Sequence, residues 1–225
     1  MAFRDEGDRS EQSGPPGGPA ADSGDLLRWV LAGQEARSAG ALDLVAEALA
    51  NAVRLTSDSK LAAQLWDDLG HVRWDQKRYD EAVEAFRESI FRDGHFAGPW
   101  HDIAQIRLAE GDAKAALESI REAIRRNPVR AKYWNTRGRI EIHLDRAAEA
   151  VTSLMRHLRL DPESAAGWAN LALAYLKQAR YADARSACRR SIELDPSEAA
   201  LKVLDEKSAA QLRRLLAQGA DLENG

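Results

Sequence analysis

Four tryptophans, Trp66, Trp100, Trp134 and Trp168, stand 34 residues apart. Around each one the same residue classes recur at the same offsets, so units 63–96, 97–130, 131–164 and 165–198 lie end to end without a gap. A period of this length constrains the chain more than its composition does. Each unit is one supersecondary element that cannot bury its own apolar face, and only stacked neighbours build a core. Within a unit the apolar residues fall three or four apart in two stretches, the pattern of two helices. The eighth position is Gly70, Ala104, Gly138 and Ala172, and the twentieth is Ala82, Ala116, Ala150 and Ala184. Small residues there leave nothing to hold two helices apart, so they cross closely as an antiparallel hairpin. At the thirty-second position Gly94, Pro128, Pro162 and Pro196 stop the second helix and turn the chain. Asp161 and Asp195, each directly before a proline, also disfavour helix.

This pattern resembles the tetratricopeptide repeat (TPR) family, whose W-x2-L-G-x2-Y run is followed by Ala, an aromatic, Ala and Pro at fixed offsets. The resemblance implies an all-α fold, a right-handed superhelical solenoid of antiparallel helix hairpins. The expected helices are 63–76, 80–93, 97–110, 114–126, 131–144, 148–160, 165–178 and 182–194, with the four signature tryptophans largely buried between hairpins. The seventh position is Leu69, Ile103 and Leu171, but Arg137 in the third unit. That unit also carries Glu141 at the eleventh position and His157 at the twenty-seventh. Arg137 and Glu141 are spaced to pair on one helix, and Arg107 is placed to reach Glu141 if the stack aligns them. Two readings stay open: an ion network that fixes packing register, or a pH-sensitive polar switch under the groove.

Outside the repeats, residues 1–24 have almost no apolar content and read as a disordered, solvated tail without the hydrophobic stretch of a signal peptide. Residues 25–62 read as a divergent helical hairpin hinged at Gly40, either a fifth unit or an amino-terminal cap. Residues 199–217 suit a capping helix with Leu201, Leu204, Leu212, Leu215 and Leu216 on one face, and 218–225 a frayed end. A net charge of −4 argues against general nucleic-acid affinity. No apolar run approaches the ~20 residues that span a bilayer. The single cysteine, Cys188, allows no intrachain disulfide; it reads as a small buried hydrophobe, and a cytoplasmic setting fits.

The resemblance also places a binding groove. In the TPR family the first helix of each unit lines the concave face, through the second, fifth, sixth, ninth, twelfth and thirteenth positions. Those positions supply Asp67, Asp68, His71, Trp74 and Asp75 from the first unit and His101, Asp102, Gln105 and Leu108 from the second. The third and fourth units add Lys132, Asn135, Arg139, Asn170 and Lys177. The face is bipolar, with Asp67, Asp68, Asp75 and Asp102 in the first two units and Lys132, Arg139 and Lys177 in the last two. A ligand of opposed polarity would be steered and oriented. The twelfth position is apolar throughout (Trp74, Leu108, Ile142, Leu176), either packing on the next helix or flooring the groove. Trp74 has no place in the repeat's own packing and reads as an aromatic anchor, with Leu108 beside it. A carboxylate clamp of the kind that holds heat-shock-protein termini does not fit. Asp67, His71, Asp102, Lys132 and Thr136 stand at its positions, and only Lys132 matches.

Asp67 and His71 share a helix face, with His101 expected alongside on the next helix; carboxylate and imidazole so placed could take Zn²⁺ or Ni²⁺. No third ligand is fixed by the sequence, so these are read as polar groove residues, and neither metal nor cofactor is expected. No nucleophile elbow or phosphate loop is present. The chain is therefore expected to be a non-enzymatic scaffold binding a protein or peptide partner, without nucleic acid or membrane insertion. A dedicated chaperone of one client is the alternative, and a metal protein or enzyme a distant third.

Overall fold

The computed structural model describes residues 23–197 and 210–217. Within residues 23–197 ten helices run in order: α1 (Ser23–Ser38), α2 (Leu42–Leu55), α3 (Ser59–Asp75), α4 (Tyr79–Arg92), α5 (Gly98–Ala109), α6 (Ala113–Arg126), α7 (Ala131–His143), α8 (Ala147–Leu160), α9 (Ala165–Lys177) and α10 (Tyr181–Leu194). They pair as five hairpins, and each hairpin packs on the one before it through α2–α3, α4–α5, α6–α7 and α8–α9. Among the described residues there is no strand. The helix ends match the 34-residue register to within two residues, except that α3 starts at Ser59. The cause is local: the Asp58 carboxylate accepts from the backbone N–H of Lys60 and Leu61, a cap that adds a turn. Of the flanking segments, 1–22, 198–209 and 218–225 lie outside the described residues. Ser23 and Gly24 open α1, and 210–217 is helical, with Leu212 fully buried and Leu215 and Leu216 packed on the last hairpin.

The turn inside every hairpin is built alike. Lys77, Gly111, Asp145 and Ala179 all have positive φ, 56° to 85°, as does Gly40 in the first hairpin at 69°. Around each one the chain makes the paired bonds of a Schellman cap; in the fourth repeat Ala179 N–H donates to Leu176 and Arg180 N–H to Tyr175. Only two of the five positions hold glycine, so residue type does not announce the motif.

Close crossing at the eighth position is as expected. A Cβ on Gly70 would lie 2.5 Å from the Phe86 ring, and one on Gly138 would lie 2.5 Å from Leu154 Cγ. Phe86, Ile120, Leu154 and Cys188, all at the twenty-fourth position, are fully buried, as are Ala82, Ala116, Ala150 and Ala184. The signature tryptophans are only partly buried. The indoles of Trp134 and Trp168 sit at the hairpin rim and donate to the carbonyls of Pro128 and Pro162, while Trp66 Nε1 and Trp100 Nε1 are buried without a partner. At Trp100 the matching acceptor, Gly94 O, is taken by Arg126, whose guanidinium stacks 4.8 Å above the indole.

In the third unit Arg137 pairs with Glu141 at 2.8 Å, and Ser153 Oγ donates to the other Glu141 oxygen at 2.6 Å. Arg107 does not reach Glu141; it bonds Glu110 within its own helix end. His157 has a repeat-wide explanation. Ser89 and Ser191, at its equivalent positions, donate to the carbonyls of Ala63 and Ala165, and His157 Nδ1–H does the same to Ala131 at 3.1 Å. Its Nε2 is buried without a partner, and its ring fills the space where a Cβ on Gly167 would stand.

Candidate functional site

The first helices of successive hairpins touch directly, α5 with α7 and α7 with α9, while the second helices make no comparable contact. These contacts put α5, α7 and α9 on one side of the stack, and the approach of His71 to Asp102 puts α3 with them. Polar side chains tie these helices together. His71 Nε2 lies 3.5 Å from Asp102 Oδ2; His101 Nε2 meets Thr136 Oγ1 at 3.0 Å; Asn170 donates to Asn135 at 2.9 Å. Each link joins neighbouring units, so part of the polar groove is occupied with holding the stack. His101, Asp102 and Asn170 are buried, and Asn135, Gln105 and Asp67 are half-buried. The side chains left facing solvent are Asp68, His71 and Asp75 at one end and Lys132, Arg139 and Lys177 at the other.

Electrostatics are most perturbed where α3 meets α5. Burial pushes the Asp67 carboxyl up to about 6, with Asp102 and Asp68 adding and His71 and Lys132 opposing. His71 is raised to about 9, chiefly by its hydrogen bond to Asp102 and, against the cost of burial, by the Asp67 backbone carbonyl 2.9 Å from Nδ1. Burial alone would raise Asp102, but hydrogen bonds from His101 and His71 hold it below the usual carboxylate range. At neutral pH His71 is thus a cation between two carboxylates.

Beside this cluster a pocket of about 600 Å³ opens, lined by residues of the first, second and third units. Asp67, His71, Asp102 and Lys132 line one side, and Asp93, His95, Phe96, Arg126, Asn127 and Arg130 line the other. Of the latter, Arg126 ends α6, and the others come from the turns between hairpins. Sequence reasoning that looked only at first-helix positions missed them; their signal is that charge and aromatic residues crowd two consecutive inter-repeat turns.

Several expected residues take other roles. Leu108 and Ile142 are each only 8% exposed and belong to core clusters, and Leu176 and Trp74 pack against such clusters. The apolar stripe is therefore helix packing rather than groove floor, and Leu108 offers little to a partner. Trp74 does have a place in the repeat: it meets Tyr79 edge-on at 6.5 Å, over the Phe86–Ile103 cluster. Asp102, not His101, completes the cluster with Asp67 and His71; His101 turns away to Thr136. Asp102, His101 and Thr136 form a carboxylate–imidazole–hydroxyl chain, but the hydroxyl's residue is 4% exposed, which leaves no open face for an attacked carbonyl. No helix among the described residues is long and apolar enough to cross a membrane.

Solved structures share this architecture. A tetratricopeptide repeat protein from Parabacteroides merdae superposes with a TM-score of 0.74 at 16% identity, over 88% of this chain and 76% of its own. For a MamA protein the values are 0.68, 16%, 78% and 94%. For YrrB, described as a TPR protein with an unusual peptide-binding site, they are 0.66, 16%, 86% and 94%. At these identities the likeness is one of fold. No curated protein is significantly similar in sequence. Residues 22–214, most of the chain, match the family described as the cilia and flagella-associated protein 70 C-terminal domain, and the chain belongs to that TPR family.

Proposed function

We propose that the chain is a non-enzymatic interaction scaffold that holds a peptide or helix of a partner protein along its inner face, oriented by charge. The observation that carries this reading is the change of sign along that face. Asp68 and Asp75 project at one end and Arg139 and Lys177 at the other, all exposed and without an ion pair among the described residues. Fixed charges that satisfy nothing inside the fold are available to steer and register a ligand. The pocket lined by the first three units, which reaches from the acidic end to Lys132, has the volume to take a large side chain. The peptide-binding site named for YrrB, which shares the fold, supports the same use of the scaffold.

Affinity purification with three proteins tests it. Wild type is compared with an inner-face variant (Asp68→Lys, Asp75→Lys, Arg139→Glu, Lys177→Glu) and a variant of α6 (Lys114→Glu, Glu118→Lys). The expected result is one partner shared by wild type and the α6 variant and lost from the inner-face variant. A partner lost only from the α6 variant would move the site to the outer face. An adaptor leaves its partner soluble when expressed without it; a client that aggregates without the chain would make it a dedicated chaperone.

A further inference from the structure

We propose that Asp67, His71 and Asp102 form a binding site for one divalent transition-metal ion, with His101 and Gln105 as outer-sphere supports. The three residues offer ligand atoms that all lie within 4.8 Å of one another. Around an ion with bonds of roughly 2.0–2.2 Å, ligand atoms stand about 3–4 Å apart, so side-chain rotations of about 1 Å complete the site. Asp67 and His71 stand four apart on α3 and cannot drift relative to each other; α5 brings Asp102 to them.

What distinguishes this cluster from a chance gathering of charge is how its other atoms are used. His71 Nδ1 lies 2.9 Å from the Asp67 backbone carbonyl, an acceptor that fixes one proton on Nδ1 and aims Nε2 toward Asp102, so that a metal ion takes the place of the Nε2 proton. Asp102 Oδ1 accepts from His101 at 3.1 Å and Gln105 at 3.2 Å, which leaves Oδ2, the oxygen facing His71, as the donor. His101 is held in turn by Thr136 on α7. Asp67 Oδ1 is buried with no hydrogen-bond partner, a costly state for a carboxylate oxygen that a cation would relieve. Metal-binding imidazoles and carboxylates are oriented by such second partners.

One imidazole and two carboxylates suit Zn²⁺, Ni²⁺, Co²⁺ or Mn²⁺; Ca²⁺ prefers six to eight oxygens. Three protein ligands leave coordination positions that face the pocket, where water or an anionic group enters beside Arg130 and Lys132. The site stands on these contacts alone and holds whether or not a partner peptide lies along the inner face.

The test uses the full chain, free of any affinity tag and stripped with chelator, titrated by calorimetry with Zn²⁺, Ni²⁺ and Co²⁺ separately and by the visible absorption of bound Co²⁺. The expected result is one ion per chain, with a Co²⁺ spectrum indicating mixed nitrogen and oxygen ligands. His71→Gln and Asp67→Asn should weaken binding by more than the roughly 10–100-fold that loss of an outer-sphere partner brings. Asp68→Asn and His95→Gln should bind as wild type does. His71 is half exposed, so His71→Gln should keep the helical circular dichroism and serve as the decisive variant even if an Asp102 variant unfolds. Absence of stoichiometric binding, unchanged binding in His71→Gln, or equal loss in His95→Gln would each overturn the assignment.

Discussion

A single side chain at the twenty-seventh repeat position has remade its neighbour. Where Ser89 and Ser191 supply a hydroxyl to the first-position carbonyl, His157 supplies Nδ1–H, and its larger ring occupies the place of a side chain at residue 167. Gly167→Ala puts a Cβ 2.5 Å from the imidazole, an overpacking cost of about 1–3 kcal/mol, offset by up to about 1 kcal/mol of helix propensity. In a His157→Ser background the same change should be neutral or stabilising. Urea melts of the four proteins in this cycle measure the coupling, and a coupling near zero would refute the contact. His157 also sets a pH dependence. Burial lowers its pKa below 6.5, outweighing the Ala131 hydrogen bond and the charge of Asp161. Between its folded and unfolded values the unfolded state takes the proton and the folded state does not. This contribution is therefore fully present above pH ~6.5 and lost as pH falls below it. Raised groups such as His71 and Asp67 titrate with the opposite sign, so the measurable quantity is a difference. From pH 7.5 to 5.5 wild type should lose more stability than His157→Ser does.

At the scale of the helices, two glycine–alanine exchanges should act in opposite directions. Gly138→Ala places a methyl 2.5 Å from Leu154 Cγ, a branch atom that cannot swing aside, and should destabilise by about 1–2 kcal/mol net of propensity. Ala179 sits at φ 56° in a Schellman turn, where an L residue is strained by about 1–2 kcal/mol and glycine is not. Ala179→Gly should therefore stabilise slightly, by about 0.5–1 kcal/mol after its entropy cost. Thermal melts of both variants check the pair; a stabilising Gly138→Ala would mean the crossing is looser than described. These positions also show what was legible in the sequence. The crossing points were, because close approach demands small residues at fixed offsets. The left-handed turn was not, because Lys77, Asp145 and Ala179 tolerate it under the constraint of the flanking helices. The α3 start was missed through an Asp58 cap outside the repeat register. Trp134 and Trp168 were expected too deep because their family position says nothing about an indole N–H that reaches a rim carbonyl.

Across the whole molecule, the inner face splits into side chains that bind the stack together and side chains that face solvent. The sequence listed both without distinction, since repeat position gives direction and not partner. Asp102 illustrates the consequence. Counted by position it is a groove charge, yet it is 6% exposed and bonded to two histidines, so reversing it breaks the joint between units. Charge reversal belongs at Asp68 and Asp75, which are exposed. Once a partner is in hand, Asp68→Lys with Asp75→Lys should slow association by roughly tenfold at low ionic strength, the lower end of what electrostatic steering supplies. Dissociation should change little, because exposed rim charges act mainly on encounter. The difference should vanish near 1 M salt, where the screening length falls to about 3 Å. Arg139→Glu with Lys177→Glu should do the same from the other end. Combining both pairs inverts the polarity of the face, so a partner bound in one direction by wild type should be disfavoured more than either pair alone predicts. Stopped-flow association at several salt concentrations reads all three variants. Equal on-rates in wild type and the double reversals would show that the charges of this face do not steer the partner.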